Sequence, residues 1–421
     1  MNSEKVYNPI VISKDFCWER NSAGRVERDF WGNATNFGFS STVLCSSWNA
    51  SDEVDVLSGI NYEKSHINVV KIKEIWCTRA LQSILNRFPI PDFRYLPDTT
   101  YLTWGNFVKR RIEELIKSNN YDYIDSIGMP HGSHLLALKI KEKYNLPWVA
   151  RFYDPWTDNQ HRAYRFTYFR EKDKEIEKNV AEKADVIIHN NYHIARLWEE
   201  RYGEHISKKI RVIPMIFDSS RLNNYLPQLH QKGQLVISHI GNLFGVRNAQ
   251  TFISAIDLLI NKYPALREHL KINMIGWVPE KDIEEITKLQ LNDIFHLTGR
   301  IPEKECTDYF NKTDLFISID GKGELDLNYP SKLLKYFYYR RPILGLTLDN
   351  SVAAEELDRS GNRHVRLDDV NAIANEIEYA FNNYESMLDF DYDYYNRFSP
   401  ERIICTYREL VNELMNGGLT V

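Results

Sequence analysis

Apolar runs of four to six residues alternate with longer mixed segments along the whole chain, and this rhythm predicts strands alternating with helices. In the first half, strands are predicted near 9–13 (PIVIS), 41–46, 67–72, 122–127, 147–152 (PWVARF), 185–189 and 210–213, with helices near 104–118, 133–144, 164–183 and 193–202. A polar stretch with Pro and Gly, NNYLPQLHQKG at 223–233, reads as a boundary. Beyond it, strands are predicted near 235–240 (LVISHI), 271–275, 294–298, 314–319 (DLFISI), 342–346 and 363–366. Helices follow near 248–262, 279–289, 303–311, 331–340, 351–359 and 369–384, and a last one over 400–416 starts at Ser399-Pro400, a cap followed by a first-turn proline. Strand–helix alternation on this scale implies parallel sheets covered on both faces.

Length makes this two domains rather than one, since 421 residues exceed a single core. Hydrophobic residues at 43% and charged residues at 26% are ordinary for a globular chain, and a net charge of −5 offers no general case for nucleic-acid binding. The five cysteines (Cys17, Cys45, Cys77, Cys306 and Cys405) are scattered, so neither a zinc site nor a disulfide framework is expected, and a cytoplasmic setting fits. No signal-peptide core and no apolar run long enough to span a membrane is present. Residues 67–117 carry nine Lys/Arg against five Asp/Glu with apolar side chains interleaved. Two readings stand for that segment: a solvated helical cover, or an edge resting on anionic lipid at the inner face of the membrane.

The candidate chemistry lies where two second-half strands break into loops that lead to helices, LVISHI-GNLFGVRN and DLFISI-DGKGELDLNYP-SKLL. Loops at the carboxyl ends of parallel strands are where open α/β sheets bind ligands, and a helix start beside a fixed cation attracts anions. Two such loops suggest a diphosphate clamp. Arg247 supplies a guanidinium suited to phosphate oxygens, against the plainer reading of a surface arginine at a helix start. Gly241 permits close backbone approach. Ser331 and Lys332 open a helix, with a simple capping serine as the alternative.

These segments, with GMPHGSHLLALKIKEKYNLPWVARFYDPW and VIPMIFDSSRL, resemble the GT-B class of glycosyltransferases, in particular the retaining glycosyltransferase family 4 of bacterial cell-envelope type. The resemblance implies two Rossmann-like α/β domains facing each other across a deep cleft. An acceptor-binding domain would span 1–218, completed by a C-terminal helix at 399–421 that crosses back to it, and a donor-binding domain would span 219–398. It further implies a hexosyltransferase-like enzyme that needs no metal or other cofactor. The partners would be a nucleotide-sugar donor and a glycan or lipid-linked glycan acceptor.

By the same resemblance, Arg247, Lys332, Ser331, Gly241, Asn242, Glu324, Lys335 and Gly24 would contact the donor, with Gly24 in the loop below the diphosphate. Asn242 stands where many relatives have a basic residue. Asp154 would face the transferred sugar, or else serve as a turn residue before Pro155. His131 and His134 could line the acceptor side, although a lone histidine is more often structural. The family's paired glutamates are replaced here by Leu327 and Lys335, with Glu324 and Asp326 nearby. That departure suggests a dTDP-sugar as donor. It also keeps open a non-catalytic nucleotide-sugar-binding subunit, and a GT-B-fold nucleotide-sugar epimerase is the other alternative. A dehydrogenase is disfavoured, because no G-x-G-x-x-G follows the first strand.

Overall fold

The computed structural model describes residues 5–17, 22–47, 67–73, 104–128, 130–159, 164, 166–222, 230–323 and 326–418. The chain divides into two compact units, Met1–Asp218 with Phe398–Val421, and Ser219–Arg397. Most of the basic segment at 67–117 and Glu324 lie outside the described residues. Among the described residues no helix is long and apolar enough to cross a membrane.

The first unit is built on a parallel sheet of β1 (Pro9–Ile12), β2 (Thr42–Ser47), β3 (Asn68–Lys73), β4 (Tyr123–Gly128), β5 (Trp148–Phe152), β6 (Val186–His189) and β7 (Ile210–Val212). Their order is β3-β2-β1-β4-β5-β6-β7, with Ile10 beside both Thr42 and Ile124. β1, β4, β5 and β6 are buried along their full length, as expected of parallel strands covered on both faces. The covering helices include α1 (Ser22–Ala34), α2 (Asn106–Ser118), α3 (Gly132–Tyr144), α4 (Thr167–Lys183) and α5 (Tyr192–Tyr202). α3 stops at Asn145, whose left-handed backbone (φ 53°) lets its N–H return to the Lys141 carbonyl.

The C-terminal helix (Pro400–Met415) belongs to this unit, burying Ile403, Ile404, Tyr407, Leu410 and Val411 in its core. Its anchor is polar. The Tyr407 hydroxyl donates to Asp125 at 2.6 Å, and Asp125 also accepts from Arg151 Nε at 2.9 Å. Arg151 reaches Glu27 with a second nitrogen at 2.5 Å. A buried ion triad gains little net stability, but removing one member strands the others without compensation.

The second unit carries the parallel sheet β10-β9-β8-β11-β12-β13, formed by β8 (Leu235–Ile240), β9 (Leu270–Ile275), β10 (Phe295–Gly299), β11 (Leu315–Ile319), β12 (Ile343–Thr347) and β13 (Arg363–Arg366). Its helices are α6 (Gln250–Lys262), α7 (Glu280–Lys288), α8 (Glu303–Lys312), α9 (Lys332–Tyr338), α10 (Val352–Ser360) and α11 (Val370–Asn382). The strand order reverses between β8 and β11. That reversal opens the crevice in which doubly wound sheets take their ligands.

The fold class read from the sequence holds: two parallel-sheet α/β units. One element departs from expectation. Gly24, expected in a loop, lies in the first turn of α1.

Candidate functional site

The crevice of the second unit is shaped first by its backbone. Gly241 N–H donates to the Ile275 carbonyl at 2.8 Å and Leu243 N–H to the Trp277 carbonyl at 2.8 Å. The Asn242 side chain accepts from Trp277 N–H at 2.9 Å, so Asn242 clamps the β8 and β9 loops to each other. The closest backbone approach is at Gly276, with φ +120°, where a Cβ would stand 2.5 Å from the Gly241 carbonyl oxygen. We expect Gly276→Ala to destabilise the chain by about 3 kcal/mol, from overpacking together with left-handed strain. Denaturant unfolding would measure it, and an unchanged midpoint would remove the argument.

Two cations converge on this crevice from different loops. Arg247 follows β8, and its Nη2 lies 3.4 Å from Asp326 Oδ2 in the loop after β11. Asp326 is 1% exposed in its side chain and also accepts from the N–H groups of Gly321 and Asn328, each at 3.1 Å. Lys322 N–H donates to the Val246 carbonyl at 3.1 Å, which ties the two loops together. Arg247 is itself largely buried, and among the described residues its Nε has no hydrogen-bond partner. A guanidinium held by one long contact, with a desolvated N–H to spare, is poised to bond a further anion.

Lys332 opens α9 and places its ammonium 3.3 Å from His239 Nε2. His239 is buried at the end of β8, with Nδ1 3.0 Å from the Ile317 carbonyl. A carbonyl only accepts, so Nδ1 carries the proton and Nε2 is left to accept from Lys332. Burial, and then the Lys332 cation, hold the His239 pKa well below its ordinary value. Lys332 is lowered to about 7 by burial and then by the Arg247 cation, with Asp320 and Asp326 acting the other way. Asp320, at the end of β11, is raised to about 6 by burial and then by Asp326. Two cations and two carboxylates thus share one desolvated corner.

The structure brings Gly241, Arg247 and Lys332 together. A methyl group on Gly241 would come within 3.7 Å of the Lys332 side chain. Ser331 precedes α9, is exposed, and makes no side-chain capping bond. Lys335 is half-buried in the last turn of that short helix, and Leu327 is buried. His239, Asp320 and Tyr336 were missed by the sequence reading. Tyr336 accepts from Ile240 N–H at 2.9 Å and so fixes the end of β8. The available signal was a polar residue at the closing end of each apolar run, LVISHI and LFISID.

In the first unit, Asp154 is half-buried in the bend after β5. That bend is pinned on both sides. Asn190 donates to the Tyr153 carbonyl at 2.6 Å, Thr157 N–H donates to Glu177 at 2.9 Å, and Arg201 donates to Asp158 at 2.7 Å. His131 stacks on Trp156 with centroids 4.4 Å apart and planes 7° from parallel. His134 is fully buried, with Nδ1 2.8 Å from Ser126 Oγ, and its ring lies 4.2 Å from Phe152. Gly128 admits both rings, since a Cβ there would stand 2.7 Å from each. Gly24 is buried in α1.

Burial lowers both His134 and His189 to about 3, against roughly 6.5 in an unfolded chain. Between those values the unfolded chain binds more protons, so stability contributed by these two groups is lost as pH falls from 6.5 toward 3. Asp125, raised to about 6 by burial, works in the opposite sense over a smaller span, as does Glu177, which burial also raises. We therefore expect the melting temperature to drop between pH 6.5 and 4.5. Tryptophan fluorescence is a suitable readout, because Trp277 alone of the nine tryptophans lies in the second unit. A melting temperature that rises on acidification would refute the assignment.

The two parallel-sheet α/β units have the GT-B fold seen in solved glycosyltransferase structures. A sequence model described as Glycosyltransferase Family 4 matches residues 36–221, and the chain resembles that family in both sequence and fold. Among solved structures, Anabaena HepE in complex with UDP and glucose has a TM-score of 0.66 at 13% identity, covering 97% of this chain and 99% of HepE. Sucrose-phosphate synthase from Thermosynechococcus elongatus gives 0.69 at 13% identity, covering 98% and 100%. A mutant of S. aureus TarM, in complex with fondaparinux, alpha-GlcNAc-glycerol and UDP, gives 0.64 at 10% identity, covering 97% and 100%. No curated protein sequence matches the chain.

Proposed function

We propose that the protein transfers a sugar from a nucleoside-diphosphate sugar to a hydroxyl of a glycan or lipid-linked glycan, with retention and without a metal. The observation that carries this reading is the pairing of Arg247 and Lys332 at the β8/β11 reversal, with a desolvated guanidinium N–H left to bond an anion. Gly241 gives the diphosphate access to the backbone. The Arg247 and Lys332 cations neutralise the charge that grows on it as the bond from the anomeric carbon to the phosphate oxygen breaks. The acceptor oxygen forms the new bond on the same face, and its proton passes to a departing phosphate oxygen. Asp154 would orient the sugar and stabilise positive charge at the anomeric carbon. In this reading His131 and His134 back the wall behind Asp154 through Trp156 rather than contacting the acceptor. The UDP present in the HepE and TarM structures supports a nucleotide donor, and the likeness to the lipopolysaccharide outer core galactosyltransferase WaaB supports a cell-envelope role.

Acceptor-dependent nucleotide release from UDP-, GDP- and dTDP-sugars, with NMR of the product anomer, tests the proposal. Retained configuration in a new glycoside supports it. Nucleotide binding with no transfer to any candidate acceptor would favour a non-catalytic binding subunit. Epimerised donor in the absence of acceptor would favour an epimerase. Leu327 is buried and apolar, and Asp326 is engaged with Arg247 and its own loop, so neither position offers a free carboxylate to a ribose. This keeps dTDP in the panel, and tighter binding of UDP or GDP than dTDP removes the deoxyribose idea.

A further inference from the structure

At the opposite end of the second unit's sheet lies a pocket of about 530 Å³, in the size range of small-ligand sites. It is lined by Val236, Lys271 and His296, the second residues of β8, β9 and β10, and is walled by α8. Gly241 follows the last residue of β8, so the pocket and the diphosphate corner are separated by roughly 15 Å of strand.

Its floor is Asn273, 3% exposed. Nδ2 donates to Ser238 Oγ at 3.3 Å, and among the described residues Oδ1 has no partner. Turning the amide over would exchange which arm bonds Ser238 and leave the other unbonded. Either way a buried amide group is short of one hydrogen bond, which costs about 1–3 kcal/mol until something in the pocket supplies it. One wall is a pair of near-parallel rings, His296 and Tyr309, with planes 18° apart and His296 Nε2 3.2 Å from the Tyr309 hydroxyl.

The lining charges do not favour an ion. Lys271 and Lys312 face the same space as Glu305 and Asp308. Asp314 accepts from the Val236 N–H at 2.8 Å, and His230 Nδ1 lies 3.2 Å from its other oxygen. Among the described residues no group of three or more His, Cys, Asp or Glu is arranged to hold a metal. What remains is a balanced set of donors and acceptors beside an aromatic wall, with an amide on its floor. We propose that this pocket is a second ligand site, for a neutral hydroxyl-rich ligand, a saccharide. The ring pair would take the apolar face of a sugar, and the Asn273 amide would bond one of its hydroxyls. The site does not depend on the transferase reading.

Calorimetric titration of the full chain with maltotriose, cellotriose and chitotriose tests it. At least one trisaccharide is expected to bind. Tyr309→Ala should weaken that binding at least tenfold while the thermal melt is preserved, since Tyr309 is not a buried residue. Lys271→Ala, a fully surface change, should weaken it as well, whereas Arg247→Ala, or Arg247→Lys if the alanine variant does not fold, should leave it unchanged. Absence of binding by all three probes overturns the proposal. So does binding that survives both Tyr309→Ala and Lys271→Ala, or binding that is lost with the Arg247 variants.

Discussion

Arg247→Ala is expected to lower transfer by about 10²–10³-fold, the scale on which removal of one preorganised charge-stabilising group slows a reaction. The expectation rests on where the guanidinium sits. Among the described residues it is held beside Asp326 by a single 3.4 Å contact rather than a two-pronged pair, and its Nε is buried without a partner. A diphosphate can therefore take the unused N–H groups without dismantling the loop, because Asp326 keeps its bonds from Gly321 and Asn328. Some loss of stability accompanies the change, since Asp326 is left buried beside a cavity. Two further variants separate the effects. Arg247→Lys restores charge but not the planar fork, and should recover stability more fully than turnover. Asp326→Asn removes the internal competitor for the guanidinium, so nucleotide affinity should rise. Full turnover in a folded Arg247→Ala variant, with nucleotide affinity unchanged, would defeat the assignment.

How much of this was legible beforehand depended on whether side-chain type and burial agree. LVISHI reads as a strand over 235–240 and is one, because its apolar residues face packed helices on both sides. Helix α1 was missed because Glu27, Arg28 and Asp29 are polar by type yet 1%, 7% and 9% exposed. The helix buries charge against Arg151, a residue 124 positions away, so the apolar stripe of Val26, Phe30, Trp31 and Ala34 is interrupted by charged residues that are themselves buried. The same blindness affects His131 and His134: nothing local announces that one will stack on Trp156 and the other will bond Ser126. Arg247 and Lys332 could be nominated from their places after a strand and at a helix start. The roles of the carboxylates that tune them could not be read, although Asp320 closes an apolar run and Asp326 was noted nearby, because both act only where two loops close on each other.

Lys332→Met is expected to weaken nucleotide binding by about 10–100-fold at pH 7, the worth of a charge-assisted hydrogen bond, and to change its pH dependence. Burial and the Arg247 cation lower Lys332 to about 7 in the unliganded site, so near neutrality only part of the population carries the charge. A bound diphosphate favours the ammonium and raises its pKa. Binding then takes up a proton between pH 7 and the higher bound value, and affinity falls as pH rises through that window. Of the other groups facing the ammonium whose titration is displaced, Asp320 is raised to about 6 and His239 is held well below its ordinary value, so both changes lie below that window. The fall above pH 7 therefore belongs to Lys332. Calorimetry of UDP binding at pH 8, in buffers of different ionisation heat, should show proton uptake by the native chain and little by Lys332→Met. Affinity of the native chain should approach that of the variant as pH reaches 9. Equal proton uptake by both chains would show that the ammonium does not meet the diphosphate.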